Sequence, residues 1–255
     1  MNAIARPPTS LLVTRKKPHA RYRLFGFPYS GGSAAVFQPW EELLPDDIEL
    51  VAVRLPGHTG RTNEAPLTSV AAMADSLMPS IAAWLDRPYL MYGHSLGAVV
   101  AFELLHMLQA KRLPLPLHFF CAGRRAPHAP PRVEPIHDWP LERFVSELRR
   151  LNGTPEILLT NPSWRELFLP ILRTDLKAAY LYHREPHVKL ECSASAFCGS
   201  RDLIVLHQDM AGWREHFSEP PVFRTFEGGH FFLDDSRAAL VGAICARVVR
   251  SAAKT

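Results

Sequence analysis

The chain has 255 residues and only four cysteines, Cys121, Cys192, Cys198 and Cys245. That is too few for a disulfide scaffold, and no Cys-x-x-Cys pair suggests zinc. All four read as reduced, small core residues. Long apolar runs are lacking as well. No stretch reaches the roughly 18–20 residues that a membrane helix needs, which argues against a chain that crosses a bilayer as a helix. Acid is missing from the start of the chain, where the first is Glu41. Residues 1–23 carry Arg6, Arg15, Lys16, Lys17, Arg21 and Arg23, which leaves 23 basic residues against 25 acidic ones in the remainder. The formal net charge of +4 therefore belongs to the N-terminal segment and not to the body. Residues 1–20 are expected to be a flexible, basic leader, with an Arg-rich transit peptide as the alternative; no apolar stretch there is long enough for a secretory signal. A basic face interleaved with aromatics is missing too, so no nucleic-acid partner is expected. Neither a Walker-type lysine nor a dinucleotide glycine pattern is present, which argues against phosphate cradling.

What is present is a globular composition, 47 % hydrophobic and 21 % charged. Short β-rich runs alternate with helical spacing. Arg23–Phe27, Ile48–Val53, Tyr89–Tyr92, Leu117–Cys121, Ser195–Cys198 and Val222–Phe226 read as strands. Near-continuous apolar strands separated by helices imply a mostly parallel sheet covered on both faces. Thr68 is placed to cap a helix running to about Leu85, and a helix after Gly97 runs to about Lys111. A last amphipathic helix spans about Ser236–Ser251. Seven prolines fall between Pro114 and Pro140. Proline fixes φ and removes a backbone donor, so Ala126–Pro140 reads as an irregular connection. Helical spacing then returns over Leu141–Leu151 and Ser163–His183. Residues of about 127–190 thus form a helical insertion between two halves of one sheet, over the strand C-termini where α/β sites lie.

Gly93-His94-Ser95-Leu96-Gly97 matches Gly-x-Ser-x-Gly, with an apolar strand before it and an apolar helix after it. A sharp strand-to-helix turn needs small residues on both sides of the nucleophile, and the helix N-terminus behind it favours a developing oxyanion. A serine hydroxyl needs a base, and the base needs an orienting group. Asp202 follows the strand Ser195–Cys198, and His230 follows the last strand behind a glycine pair. These complete a Ser95–Asp202–His230 triad in the chain order of α/β-hydrolases. Asp209, Asp234 and Asp235 are weaker acids for the role, the last two being better placed to cap the final helix. His94 is expected to face away from Ser95 and to pack behind it. The Gly-rich loop Phe27–Ser33 allows close backbone approach. The amides of Ser30 and Leu96 are the expected oxyanion donors.

Taken together these pieces resemble the type II (editing) thioesterases of polyketide and nonribosomal peptide biosynthesis. The matching motifs are Phe27–Ser33 with Phe37 and Trp40, Leu55-Pro56-Gly57 with Arg61, Gly93–Ala98, Gly199–Asp202 and Glu227–Leu233, in the family's order. The chain departs in two places: Ser30 where the family usually has Ala, and His58 where it often has Arg after Pro-Gly. The first leaves a backbone role intact, and the second is expected to alter contacts near the entrance. The resemblance implies an α/β-hydrolase fold over 21–255 as a single domain, with the insertion of about 127–190 as a lid. It implies hydrolysis of acyl or aminoacyl thioesters from the phosphopantetheine arm of carrier proteins, which unblocks a synthase. No metal or cofactor of the protein is implied, and neither is a membrane partner; a cytoplasmic monomer is expected. Leu172, Leu176 and Tyr180 of the lid are expected to touch the acyl group. A small-molecule serine esterase or lipase, or an acyltransferase or cyclase, would use the same triad and stays open.

Overall fold

The structure, a computed structural model, describes residues 9–252. Seven strands form one sheet: β1 (Leu11–Leu12), β2 (Tyr22–Phe27), β3 (Ile48–Val53), β4 (Tyr89–His94), β5 (His118–Ala122), β6 (Ala194–Gly199) and β7 (Val222–Phe226). Their spatial order is β1-β3-β2-β4-β5-β6-β7, parallel throughout except for β1, which runs antiparallel to β3. Strands β2 to β6 are buried along their whole length. Successive side chains therefore feed two cores, one on each face of the sheet. Phe25, Val51, Met91, Phe119 and Ala196 point to the face covered by α1 (Val70–Ala82) and α2 (Leu96–Ala110). Leu24, Leu50, Tyr92, Phe120 and Phe197 point to the other face, which Phe37, Trp40 and α7 (Arg237–Ala252) cover. The sequence spacing therefore marked both layers, with small shifts at the ends. Ser69, and not Thr68, caps α1, its hydroxyl accepting from the Ala72 amide at 3.2 Å. The final helix, α7, runs as expected to within a residue at each end, and a short α6 (Phe232–Asp235) precedes it. All four cysteines are free. Among the described residues no helix is long and apolar enough to cross a membrane.

The basic leader requires correction. Residues 9–20 lie against the fold and are not free. Leu11 is fully buried, and β1 adds to the edge of β3 with Leu11 opposite Val53. The Arg54 amide donates to the Ser10 carbonyl, and the Arg54 guanidinium to the Leu11 carbonyl, both at 2.8 Å. Lys17 is buried, its ammonium donating to the carbonyls of Leu44 and Pro45 at 3.0 and 2.9 Å. A charged segment can lie in this way because each buried polar group finds a partner. Residues 1–8 fall outside the described residues.

The insertion lies between β5 and β6. It comprises α3 (Leu141–Leu151), α4 (Glu156–Thr160) and α5 (Pro162–Leu181). Its N-terminal part has a small core of its own, with Phe144, Val145, Leu148, Leu159, Leu169 and Leu172. The C-terminal end of α5 belongs elsewhere: Ala178 and Ala179 are part of the main core. Asn161 caps α5, its side-chain oxygen accepting from the Trp164 amide at 3.1 Å, and Pro162 takes the first helical position where its missing N–H costs nothing.

Candidate active site

Strand β4 ends at His94 and α2 begins at Leu96, so Ser95 must turn the chain in one residue. It does so at φ 53° and ψ −110°, a strained conformation for a residue with a side chain. Two close approaches make the turn possible. A Cβ at Gly93 would collide with the backbone of Gly97 and Ala98, and one at Gly97 with the carbonyls of Phe27 and Pro28. The glycines of the motif are thus required by packing, as the sequence pattern implies. The Ser95 amide donates to the Ala122 carbonyl at 2.8 Å, which ties the turn to the neighbouring strand.

Asp202 and His230 come together from the loops after β6 and β7. Asp202 Oδ2 and His230 Nδ1 are 2.8 Å apart, and both residues are buried. Asp202 Oδ1 accepts from the amides of Ile204 and Val205 at 2.8 and 3.0 Å. Burial raises the Asp202 carboxyl, but the imidazole and these two amides outweigh it and hold the group below its usual value. Asp202 is thus the fixed partner of Nδ1, which leaves Nε2 as the nitrogen available to substrate. The weaker acids are engaged elsewhere: Asp209 pairs with Arg132, and Asp234 with Arg237. The two loops meet where Gly199 approaches the carbonyls of Gly228 and Gly229, too closely for any side chain.

His94 does more than pack. Its Nε2 donates to the His230 carbonyl at 2.8 Å, and its Nδ1 accepts from the Tyr92 hydroxyl at 2.9 Å. Burial and the neighbouring His230 push it down to about 3, so it stays neutral and holds the backbone of His230. Its place one residue before the serine gave the only hint of this in the sequence.

Ser95 and His230 open onto one cavity of about 150 Å³. Ser30 lines it from the loop after β2, and Leu172, Leu176 and Tyr180 line it from α5. The lid residues expected from the sequence are therefore brought to the serine. The walls are only partly apolar, because Arg124 and Arg125 also face the cavity. Burial and the neighbouring Arg125 push Arg124 down to about 9. Leu96 is buried as the first residue of α2, directly behind Ser95. Among the described residues, no group of three or more His, Cys, Asp or Glu is placed to hold a metal ion. One connection was missed by the sequence reading. Asp175 of α5 reaches His58 and the Gly31 amide, so His58 is tied to the catalytic loop and is not merely an entrance residue. The signal was an acid on the apolar face of α5, between Leu172 and Leu176.

A mostly parallel sheet, a strained serine at a strand-to-helix turn, and an acid–histidine pair on the loops after the last two strands together define an α/β-hydrolase. Comparison with known proteins narrows this. Residues 22–248 match the thioesterase domain, and the chain belongs to the thioesterase family, in its type II class. It is 38 % identical to thioesterase PikA5 of Streptomyces venezuelae over 220 residues, 86 % of this chain and 78 % of that one. It is 35 % identical to the gramicidin S biosynthesis protein GrsT of Aneurinibacillus migulanus over 226 residues, covering 89 % and 88 %. The type II thioesterase BorB of the borrelidin biosynthetic cluster superposes with a TM-score of 0.83 at 30 % identity, over 95 % and 97 % of the two chains. The chain is a thioester hydrolase.

Proposed function

We propose that this enzyme removes acyl or aminoacyl groups from the phosphopantetheine arm of carrier proteins and so unblocks a polyketide or nonribosomal peptide synthase. The observation that carries the reading is the Asp202–His230 pair opening, with Ser95, onto a cavity walled by the insertion. The relatives' roles in biosynthetic clusters support the carrier-borne substrate. His230 Nε2 takes the proton of Ser95 Oγ as the oxygen attacks the thioester carbonyl. The oxyanion is stabilised by the Ser30 and Leu96 amides. When the tetrahedral centre collapses, the C–S bond breaks and the thiol leaves with the proton held by His230. A water molecule then attacks the acyl-serine, giving its proton to His230; the acid departs and Ser95 recovers its proton. Asp202 orients the imidazole throughout. Neither step calls on a metal or cofactor of the protein. The enzyme acts as a monomer in the cytoplasm, beside the synthase.

The test is hydrolysis of a panel of acyl-loaded carrier proteins, set against oxyesters of the same acyl chains, with analysis of the products. Free acid released from the thioester, faster than from the oxyester, is expected. Ser95→Ala and His230→Ala should each abolish turnover, and the double variant should be little worse than either. Ser95→Ala retaining a tenth of the wild-type rate would end this reading. A dominant product other than the free acid would instead mark an acyltransferase or cyclase.

A further inference from the structure

The cavity that holds Ser95 is joined to the insertion by a buried polar link that the hydrolytic mechanism does not use. Asp175 sits on α5 with no exposed surface. Its Oδ2 accepts from the backbone amide of Gly31 at 2.7 Å and lies 2.8 Å from Nε2 of His58. Gly31 directly follows Ser30, whose amide is the proposed oxyanion donor. It has φ 71°, and a Cβ there would press on Leu172, three residues before Asp175 on α5. The other oxygen of Asp175 is buried, with no hydrogen-bond partner among the described residues. A buried ion pair is a poor device for stability, since well-packed apolar side chains of similar volume would serve about as well.

The ring of His58 faces acceptors on both sides. Nδ1 lies 3.1 Å from the Pro56 carbonyl, with the Leu55 carbonyl also near, while Nε2 faces Asp175. Only the imidazolium has a proton on both nitrogens, so only that form satisfies both contacts. Asp175 is the charged group that acts on the ring, with the Pro56 and Leu55 carbonyls adding to it. Burial opposes the charge, but the carboxylate and carbonyls prevail, and the imidazolium persists above its ordinary range. Removing the Nδ1 proton leaves a lone pair against a carbonyl and weakens the grip on Asp175.

We propose that Asp175 and His58 are positioning residues. The imidazolium holds the Asp175 carboxylate, the carboxylate holds the Gly31 amide, and the Ser30 amide is thereby set for the oxyanion. The same carboxylate joins α5 to the catalytic loop, so the helix that lines the acyl cavity also sets the oxyanion geometry. The inference rests on the oxyanion role given to Ser30 above. An amide that moves by a fraction of an ångström loses much of its effect on the transition state and little of its effect on the bound thioester. The link therefore acts on kcat more than on KM.

The experiment measures kcat and KM for one acyl thioester from pH 6 to 10 in the wild type, Asp175→Asn, His58→Gln and His58→Arg. Affinity for an alkyl boronic acid, which forms a tetrahedral adduct on the serine, is measured alongside. Asp175→Asn and His58→Gln are expected to lower kcat about tenfold, with KM within threefold, and to weaken the boronate by a similar factor. The wild type should lose kcat at alkaline pH. His58→Arg, whose charge does not titrate in that range, should keep kcat near the neutral wild-type level and lose that alkaline fall. If Asp175→Asn does not fold, the two His58 variants carry the test. The proposal is overturned if His58→Gln leaves kcat within twofold, or if His58→Arg retains the wild-type alkaline fall. Activity surviving in Ser95→Ala would instead overturn the serine mechanism itself.

Discussion

Asp202 has three acceptor contacts, two from amides of its own loop, which an amide oxygen could also accept, and one from the catalytic imidazole, which needs the second carboxylate oxygen. Asp202→Asn should keep the fold and lower kcat by roughly 10⁴, because the amide can present its N–H to Nδ1 and reverse the tautomer. Asp209→Asn should remain near wild type in the same assay; the reverse pattern would move the triad acid. Ser30 makes the opposite point. Its hydroxyl is buried with no hydrogen-bond partner among the described residues, so the role given to Ser30 rests on its backbone amide. Ser30→Ala should hold kcat within threefold and leave Tm equal or slightly higher; a hundredfold loss of kcat would assign the hydroxyl a direct part in catalysis. The triad was legible in the sequence because each member sits in a local signature: glycines around Ser95, a strand end before Asp202 and a glycine pair before His230. The tautomer of His94 was not legible, because it is set by a carbonyl 136 residues away.

The insertion shows how far periodicity reaches. Spacing alone marked α3 and α5 to within a few residues, but the single turn of α4 is too short to produce a period. Strand β1 was missed for the same reason, being only two residues long. The partition of α5 between two cores could not be read at all, since it depends on what each face meets. Leu172 and Tyr180 line the cavity from this helix. Substitution of Tyr180 by Ala should alter the ranking of acyl-chain lengths by about tenfold for the longest against the shortest chain, with Tm lowered by only a few degrees. Equal loss on every acyl chain would remove the specificity role. The small core of α3 to α5 is separate from the sheet, so its amides should exchange faster than those of 89–92 and 117–121. Protection over 141–169 as high as in those strands would show a rigid cover.

At the scale of the whole molecule, buried groups shift in opposite senses, and each adds to the pH dependence of stability. The folded state lowers the Asp202 carboxyl, so its contribution is present above the ordinary carboxylate range and is lost as pH falls through the lowered value. The folded state raises the His58 imidazole, so its contribution is complete below its ordinary value of 6.5 and is lost as pH climbs through the raised one. Burial also pushes His94, His106 and His118 down to about 3 and His216 to about 4, so these rings take up protons on unfolding and their contribution is lost as pH falls below 6.5. Tm should therefore be highest near neutral pH and fall on both sides. His58→Gln should flatten the alkaline decline and Asp202→Asn only the most acid part of the other limb, below the histidine range; unchanged slopes in thermal melts would show that other groups dominate. The division of α5 also bears on chimeras. Its first half belongs to a self-contained small core, while Ala178 and Ala179 are packed into the body. An insertion transplanted from a relative with Arg after Pro-Gly would bring its own small core intact. Its splice point, however, belongs inside α5, between the acid at 175 and the alanines at 178 and 179, and not in the flanking loops. A graft that ignores this seam would fold as two sound pieces and still misplace the amide beside the serine.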